Sequence, residues 1–111
     1  MAREARARLA DYYFQQKDFA KVVDLFAHQE VTSKTEDGTI LAVADSLDRT
    51  GRSSQAAELV ETALKVKPPT GPLYLALASY YQHSGKPDRA EASQNKGRAL
   101  LNETGSKPEE Q

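Results

Sequence analysis

Apolar residues return along this chain at helical spacing, in blocks separated by short polar turns. Leu9, Tyr12 and Tyr13 form one block, Ile40, Val43, Ala44 and Leu47 a second, and Tyr74, Leu77, Ala78 and Tyr81 a third. Within each block the residues stand three, four or seven apart, the spacing of one face of an α-helix. A polar turn and a second amphipathic run follow every block. The pattern predicts helices over 4–16, 19–30, 38–50, 53–67, 72–84 and 87–102, alternating as the A and B members of three hairpins. Gly51 and Gly85 suit the left-handed residue that ends an A helix and releases the chain for the reversal. Pro87 fits a first helical turn, where no backbone donor is needed, and Pro68, Pro69 and Pro72 close one helix and open the next. No strand signal is present.

The blocks are in register at a period of 34 residues. Stepping by that period from Gly51 reaches Gly85 forwards and Lys17 backwards, and the residues around the three turns align without a gap. Ala10, Ala44 and Ala78 fall into one column, Tyr13, Leu47 and Tyr81 into another, and Val22, Ala56 and Ala90 into a third. Within "GRSSQAAELVETALKVKPP" the small residues Ala56 and Ala63 are expected where helices approach closely, with Leu47 and Val60 filling the remaining space. Tyr13 and Tyr81 are expected in the core. Tyr12 and Tyr80 are expected along a seam between repeats, with their hydroxyls at water.

With these columns the chain resembles the tetratricopeptide repeat (TPR) family. The segment Asp37 to Thr70 carries the resemblance best, through Ile40, Val43, Ala44, Leu47, Gly51, Ala56, Val60, Ala63 and Pro68. Gly71 onward matches through Tyr74, Leu77, Ala78, Tyr81, Gly85 and Ala90, and Arg3 to Glu36 through Leu9, Ala10, Tyr13, Phe19 and Phe26. The resemblance implies an all-α, right-handed α-solenoid of three helical hairpins, 3–36, 37–70 and 71–102, with a disordered tail over 103–111. Some positions depart from the family pattern. Arg6 replaces a bulky apolar residue, Lys34 replaces a proline in the polar connection "EVTSKTEDG", and Gln94, Gly97 and Arg98 stand where the second repeat has Val60, Ala63 and Leu64. A polar last helix is expected to cap the stack.

The resemblance further implies that the A helices line a concave face that takes a peptide. The matching positions are Glu4, Ala7, Asp11, Phe14 and Gln15, then Gly38, Leu41, Asp45, Asp48 and Arg49, then Pro72, Leu75, Ser79, Gln82 and His83. Leu41 and Leu75 are equivalent apolar positions without an assigned core role, although surfaces routinely carry scattered apolar residues. Ala7, Asp11 and Ala42 lack the Lys and Asn of a carboxylate clamp, so an acidic chaperone terminus is not the expected ligand. Asp11, Asp45 and Asp48, opposed by Arg49, suggest a mildly acidic groove with an apolar floor. The expected ligand is an apolar or amphipathic protein segment bearing Lys or Arg. The rival expectation is structural, a segment of a longer repeat array that packs against neighbouring repeats or a second copy.

Composition adds exclusions. The 111 residues hold 15 Lys and Arg against 16 Asp and Glu, a net charge of -1, so no global charge favours nucleic acid or an anionic membrane. Charged residues at 28% and hydrophobic ones at 39% describe a globular chain. Without Cys there are no disulfides, thiol nucleophiles or Cys-based zinc sites. No stretch approaches the ~20 apolar residues that cross a bilayer, and "MAREARARLADYY" has no apolar signal region, so the chain is expected to be soluble, in a compartment left open. His28 and His83 lie in different repeats with no metal ligands at suitable spacing, and they read as surface histidines. Ser79 and His83 stand four apart without an acid to orient the ring or an oxyanion pocket. No glycine-rich phosphate loop is present. Arg3, Arg6 and Arg8 read as a solvated helix flank, and Asn102-Glu103-Thr104 is too short a pattern to carry weight as a glycosylation acceptor. The sequence therefore predicts no enzyme, no cofactor and no metal.

Overall fold

A computed structural model describes residues 3–27 and 29–105 of the chain. They form six helices: α1 (Arg3–Gln15), α2 (Phe19–Leu25), α3 (Asp37–Arg49), α4 (Ser53–Val66), α5 (Gly71–His83) and α6 (Pro87–Gly105). No strand occurs among the described residues. Each helix packs on its sequence neighbour, α2 and α3 across a longer connection than the rest, and α3 also touches α1 and α5. The result is an all-α solenoid of three antiparallel hairpins, the architecture that the resemblance to the TPR family implied.

The three hairpin turns share one hydrogen-bond scheme. Arg52 N–H donates to the Leu47 carbonyl at 2.8 Å, Lys86 N–H to Tyr81 at 2.8 Å and Asp18 N–H to Tyr13 at 2.9 Å. The acceptors are the column of large residues read from the sequence. Each bond spans a residue in the left-handed region, Gly51 at φ 85°, Gly85 at φ 79° and Lys17 at φ 61°. Glycine adopts that conformation without a Cβ penalty, whereas lysine does so at a cost of about 1 kcal/mol or more. The first turn thus keeps the geometry of the other two with a less suitable residue.

Small residues hold the helices together at the predicted columns. Ala10, Ala44, Ala56, Ala63 and Ala90 are all buried, and Val22, Ile40, Val60 and Leu73 fill the space between them at no more than 1% exposure. Ser46 is also fully buried. Its hydroxyl donates to the Ala42 carbonyl at 2.7 Å, which satisfies the group within its own helix. Ala78, expected to be core, is only half-buried.

Four expectations change. The second helix, expected to reach residue 30, ends at Leu25. Gln29 and Glu30 occupy the columns of Ala63 and Leu64, so a longer helix would have no apolar face to bury there. Thr32 and Thr35 instead build a turn, with Thr32 N–H donating to Thr35 Oγ1 at 2.9 Å and Thr35 N–H to the Thr32 carbonyl at 3.0 Å. The polar connection is pinned from the next repeat. Lys67 Nζ donates to the Thr35 carbonyl and lies 3.4 Å from Asp37 Oδ1, while Thr70 Oγ1 donates to Asp37 Oδ2 at 2.9 Å.

Gly97 is the second change. It is buried at the crossing of α5 and α6. A Cβ there would lie 2.9 Å from Leu75 Cγ and 3.1 Å from the Gly71 carbonyl oxygen, and one on Gly71 would lie 2.6 Å from Leu101 Cγ. Two glycines facing each other let the helix backbones approach, and Leu75 and Leu101 cover the contact. Gln94 and Arg98, the other polar departures on α6, are exposed. Third, Tyr80 is 3% exposed rather than at water, because α5 turns it towards α3; Tyr12 is 57% exposed. Fourth, α6 continues to Gly105, past the expected boundary at 102. Residues 106–111 of the expected tail, and His28, lie outside the described residues.

Candidate interaction groove

The predicted groove residues divide between two depressions. Asp11 and Phe14 of α1 and Leu41 and Asp45 of α3 line one open cavity of about 420 Å³, together with Gly38, Ala42, Ala76 and Tyr80. Leu75, Ser79 and Gln82 line another of about 430 Å³ between α5 and α6, with Ala78, Pro87, Ala90, Glu91 and Gln94. Gln15 is exposed at the end of α1, and Asp48 and Arg49 stand beyond Asp45 on the last turn of α3.

The division follows from the stacking. Leu41 and Asp45 look across to Ala76 and Tyr80 on the next A helix. Leu75 and Ser79, their counterparts one repeat on, look away from α3. Ala76 and Tyr80, each one residue past the predicted Leu75 and Ser79, line this cavity without having been singled out for the groove in the sequence. Their signal was present in the sequence: the same columns hold Ala42 and Ser46 in the preceding repeat, small side chains suited to a helix approached by its neighbour. Leu75 also has a structural partner in Gly97.

Charge in the first cavity is organised by internal bonds. Arg49 Nε donates to Asp45 Oδ2 at 2.8 Å. Its guanidinium carbon lies 5.4 Å from the Phe19 ring centroid and 6.0 Å from that of Phe14. The two phenyl rings meet edge to face at 5.5 Å, an arrangement that offers a negative π face to a cation. The hydrogen bond that Arg49 donates to Asp45, and then the charge of that carboxylate, raise the Arg49 pKa above its ordinary value.

Asp48 is held differently. Its side chain is 10% exposed, and it accepts a hydrogen bond from Ser53 Oγ at 2.6 Å. His83 Nδ1 lies 2.9 Å from both carboxylate oxygens, tying the end of α5 to the end of α3. His83, expected on the groove and four residues from Ser79, thus has Asp48 as its ring partner. Tyr80 lies between these carboxylates in sequence register and feels both. Burial raises its pKa well above that of a free phenol, and Asp45 and then Asp48 raise it further. Among the described residues no group of three or more His, Cys, Asp or Glu could hold a metal ion. Among the described residues no helix is long and apolar enough to cross a membrane.

No protein-family model matches the chain. No curated protein matches it either. Among solved structures, one described as MamA MSR-1 C2 superposes with a TM-score of 0.70 at 21% sequence identity, over 87% of this chain and 56% of that one. MamA contains TPR units, so the likeness places this chain among TPR-type helical repeat folds. The chain spans a little over half of that neighbour's length.

Proposed function

We propose that this chain is a non-enzymatic protein-interaction scaffold that binds a peptide or partner surface on its A-helix face. The cavity between α1, α3 and α5 carries the reading, because Asp11, Phe14, Leu41 and Asp45 meet there with Tyr80 and Ala76. Its floor is apolar and its rim acidic, which suits an amphipathic segment bearing Lys or Arg. Gln15 and Arg49 stand exposed beyond that rim, Asp48 is engaged by Ser53 and His83, and Leu75, Ser79 and Gln82 offer a second surface further along the stack.

The test compares protein retained from a lysate by the unmodified chain, by Leu41→Arg and by Asp45→Lys, after circular dichroism shows equal helicity. Leu41 is a cleaner probe than Leu75, which fills space against Gly97. Loss of the same retained protein in both variants supports the groove. Identical profiles reject it.

One observation favours a second, structural reading. Tyr12 is 57% exposed, although its 34-residue counterparts Ser46 and Tyr80 are buried at 0% and 3%. That face of α1 is the one that α3 and α5 bury against a preceding hairpin. Concentration-dependent association in sedimentation, lost in Tyr12→Glu, would favour packing on another hairpin or copy; a monomer at all concentrations would count against it.

A further inference from the structure

Arg49 occupies a cradle that has the chemistry of a ligand site. Asp45 supplies a carboxylate 2.8 Å from its Nε, and Phe19 and Phe14 supply aromatic faces at 5.4 and 6.0 Å. The guanidinium itself is exposed, so it can leave without unfolding anything. Beside it lies the apolar cavity floored by Leu41, Ala76 and Tyr80. An incoming segment seated on that floor would bring its own side chains to the same carboxylate and rings.

We infer that the groove recognises an arginine-bearing peptide segment whose guanidinium displaces Arg49 from Asp45 and the Phe14–Phe19 pair. This rests on the groove reading above and narrows it from any cation to arginine. A planar guanidinium can donate to Asp45 and stack on a ring at once, whereas an ammonium is a compact and strongly hydrated charge that gains less from the aromatic faces. Arg49 then acts as an internal competitor. Segments without arginine leave it in place, and those with arginine gain the cradle only after moving it aside.

The experiment uses N-acetyl-arginine methylamide as the probe, with its lysine and citrulline analogues, titrated into the unmodified chain and into Arg49→Ala. Phe14 and Phe19 ring resonances and the Leu41 methyls report occupancy by NMR. The expected result is that the arginine probe binds Arg49→Ala about two- to fivefold more tightly than the unmodified chain, and more tightly than either analogue does. The gain should vanish in Arg49→Ala with Asp45→Asn. Equal responses of the two proteins, or equal responses to the arginine and citrulline probes, would overturn the inference. A weaker response in Arg49→Ala would overturn it too, and would make Arg49 itself the ligand contact. The groove reading stands or falls separately: unchanged lysate capture by Leu41→Arg would remove that reading even where the cradle takes the probe.

Discussion

The hairpin of α5 and α6 and the hairpin of α1 and α2 are built on one register but held by different means. In the first, Gly71 and Gly97 bring two backbones together under Leu75 and Leu101, and the turn uses Gly85 in the conformation glycine favours. In the second, α2 has only 7 residues, the turn forces Lys17 to φ 61°, and Tyr12 is left largely in solvent. A repeat period fixes where helices must turn and meet, while the residues at those points set how firmly. Stability along a stack of this kind is uneven, and the firmer hairpin here is the C-terminal one.

The comparison can be broken most severely at Leu73, which is fully buried where α5 begins. Leu73→Ala should cost about 2–5 kcal/mol, with the helical signals of α3 to α6 lost together in thermal unfolding. Loss of α5 and α6 alone would show that the hairpins do not share one core. Next in size is Gly97→Ala. Alanine gains about 1 kcal/mol in helix propensity, but its methyl would sit 2.9 Å from Leu75 and 3.1 Å from the Gly71 carbonyl, and overpacking of this kind costs about 1–3 kcal/mol. Net destabilisation in a denaturant titration is expected; stabilisation would mean that the α5–α6 approach is loose.

The weaker hairpin can be strengthened in turn. Lys17→Gly should stabilise by about 1 kcal/mol, and native-state hydrogen exchange should slow in α1 and α2 first. The reverse change, Gly51→Ala, meets no neighbour within 4 Å but keeps φ 85°, so its loss of about 1–2 kcal/mol would come from backbone strain alone. If the two substitutions moved stability the same way, the left-handed turn would not be the cause.

The smallest effect at neutral pH belongs to Tyr80. Burial first, then Asp45 and Asp48, raises its folded pKa above the unfolded value of about 10. The folded chain therefore holds the proton that the unfolded chain releases, so the contribution is complete below about pH 10 and is lost as pH rises through the folded value. Stability measured from pH 9 upwards should fall more steeply in the unmodified chain than in Tyr80→Phe. Parallel curves would place the hydroxyl at water, as in the sequence-based expectation.

Periodicity alone determined a good deal about this protein. The 34-residue register assigned six helices, the left-handed turns at Gly51 and Gly85 and the buried alanines, because helix spacing and close approach leave a mark on every residue that obeys them. It also marked Lys17 as the third turn, although its side chain gave no hint of a left-handed residue. Gln29 and Glu30 carried the information that α2 would be short, since they stand in apolar columns, yet helix propensity masked it.

Only the tertiary structure decided which groove residues share a space. A register gives equivalence between repeats, whereas a cavity is made by different columns facing one another, so Leu41 meets Ala76 and Tyr80 rather than Leu75. The same holds for charge. Asp45, Asp48 and His83 were legible as polar residues on one face, and the four-residue spacing of Asp45 and Arg49 allowed their pairing, but the meeting of Asp48 with Ser53 and with His83 of the next repeat depends on tertiary distances that no spacing in the sequence encodes. Gly97 is the clearest case: in the sequence it marked a helix released from packing, and in three dimensions it is where α5 and α6 approach too closely to admit a side chain.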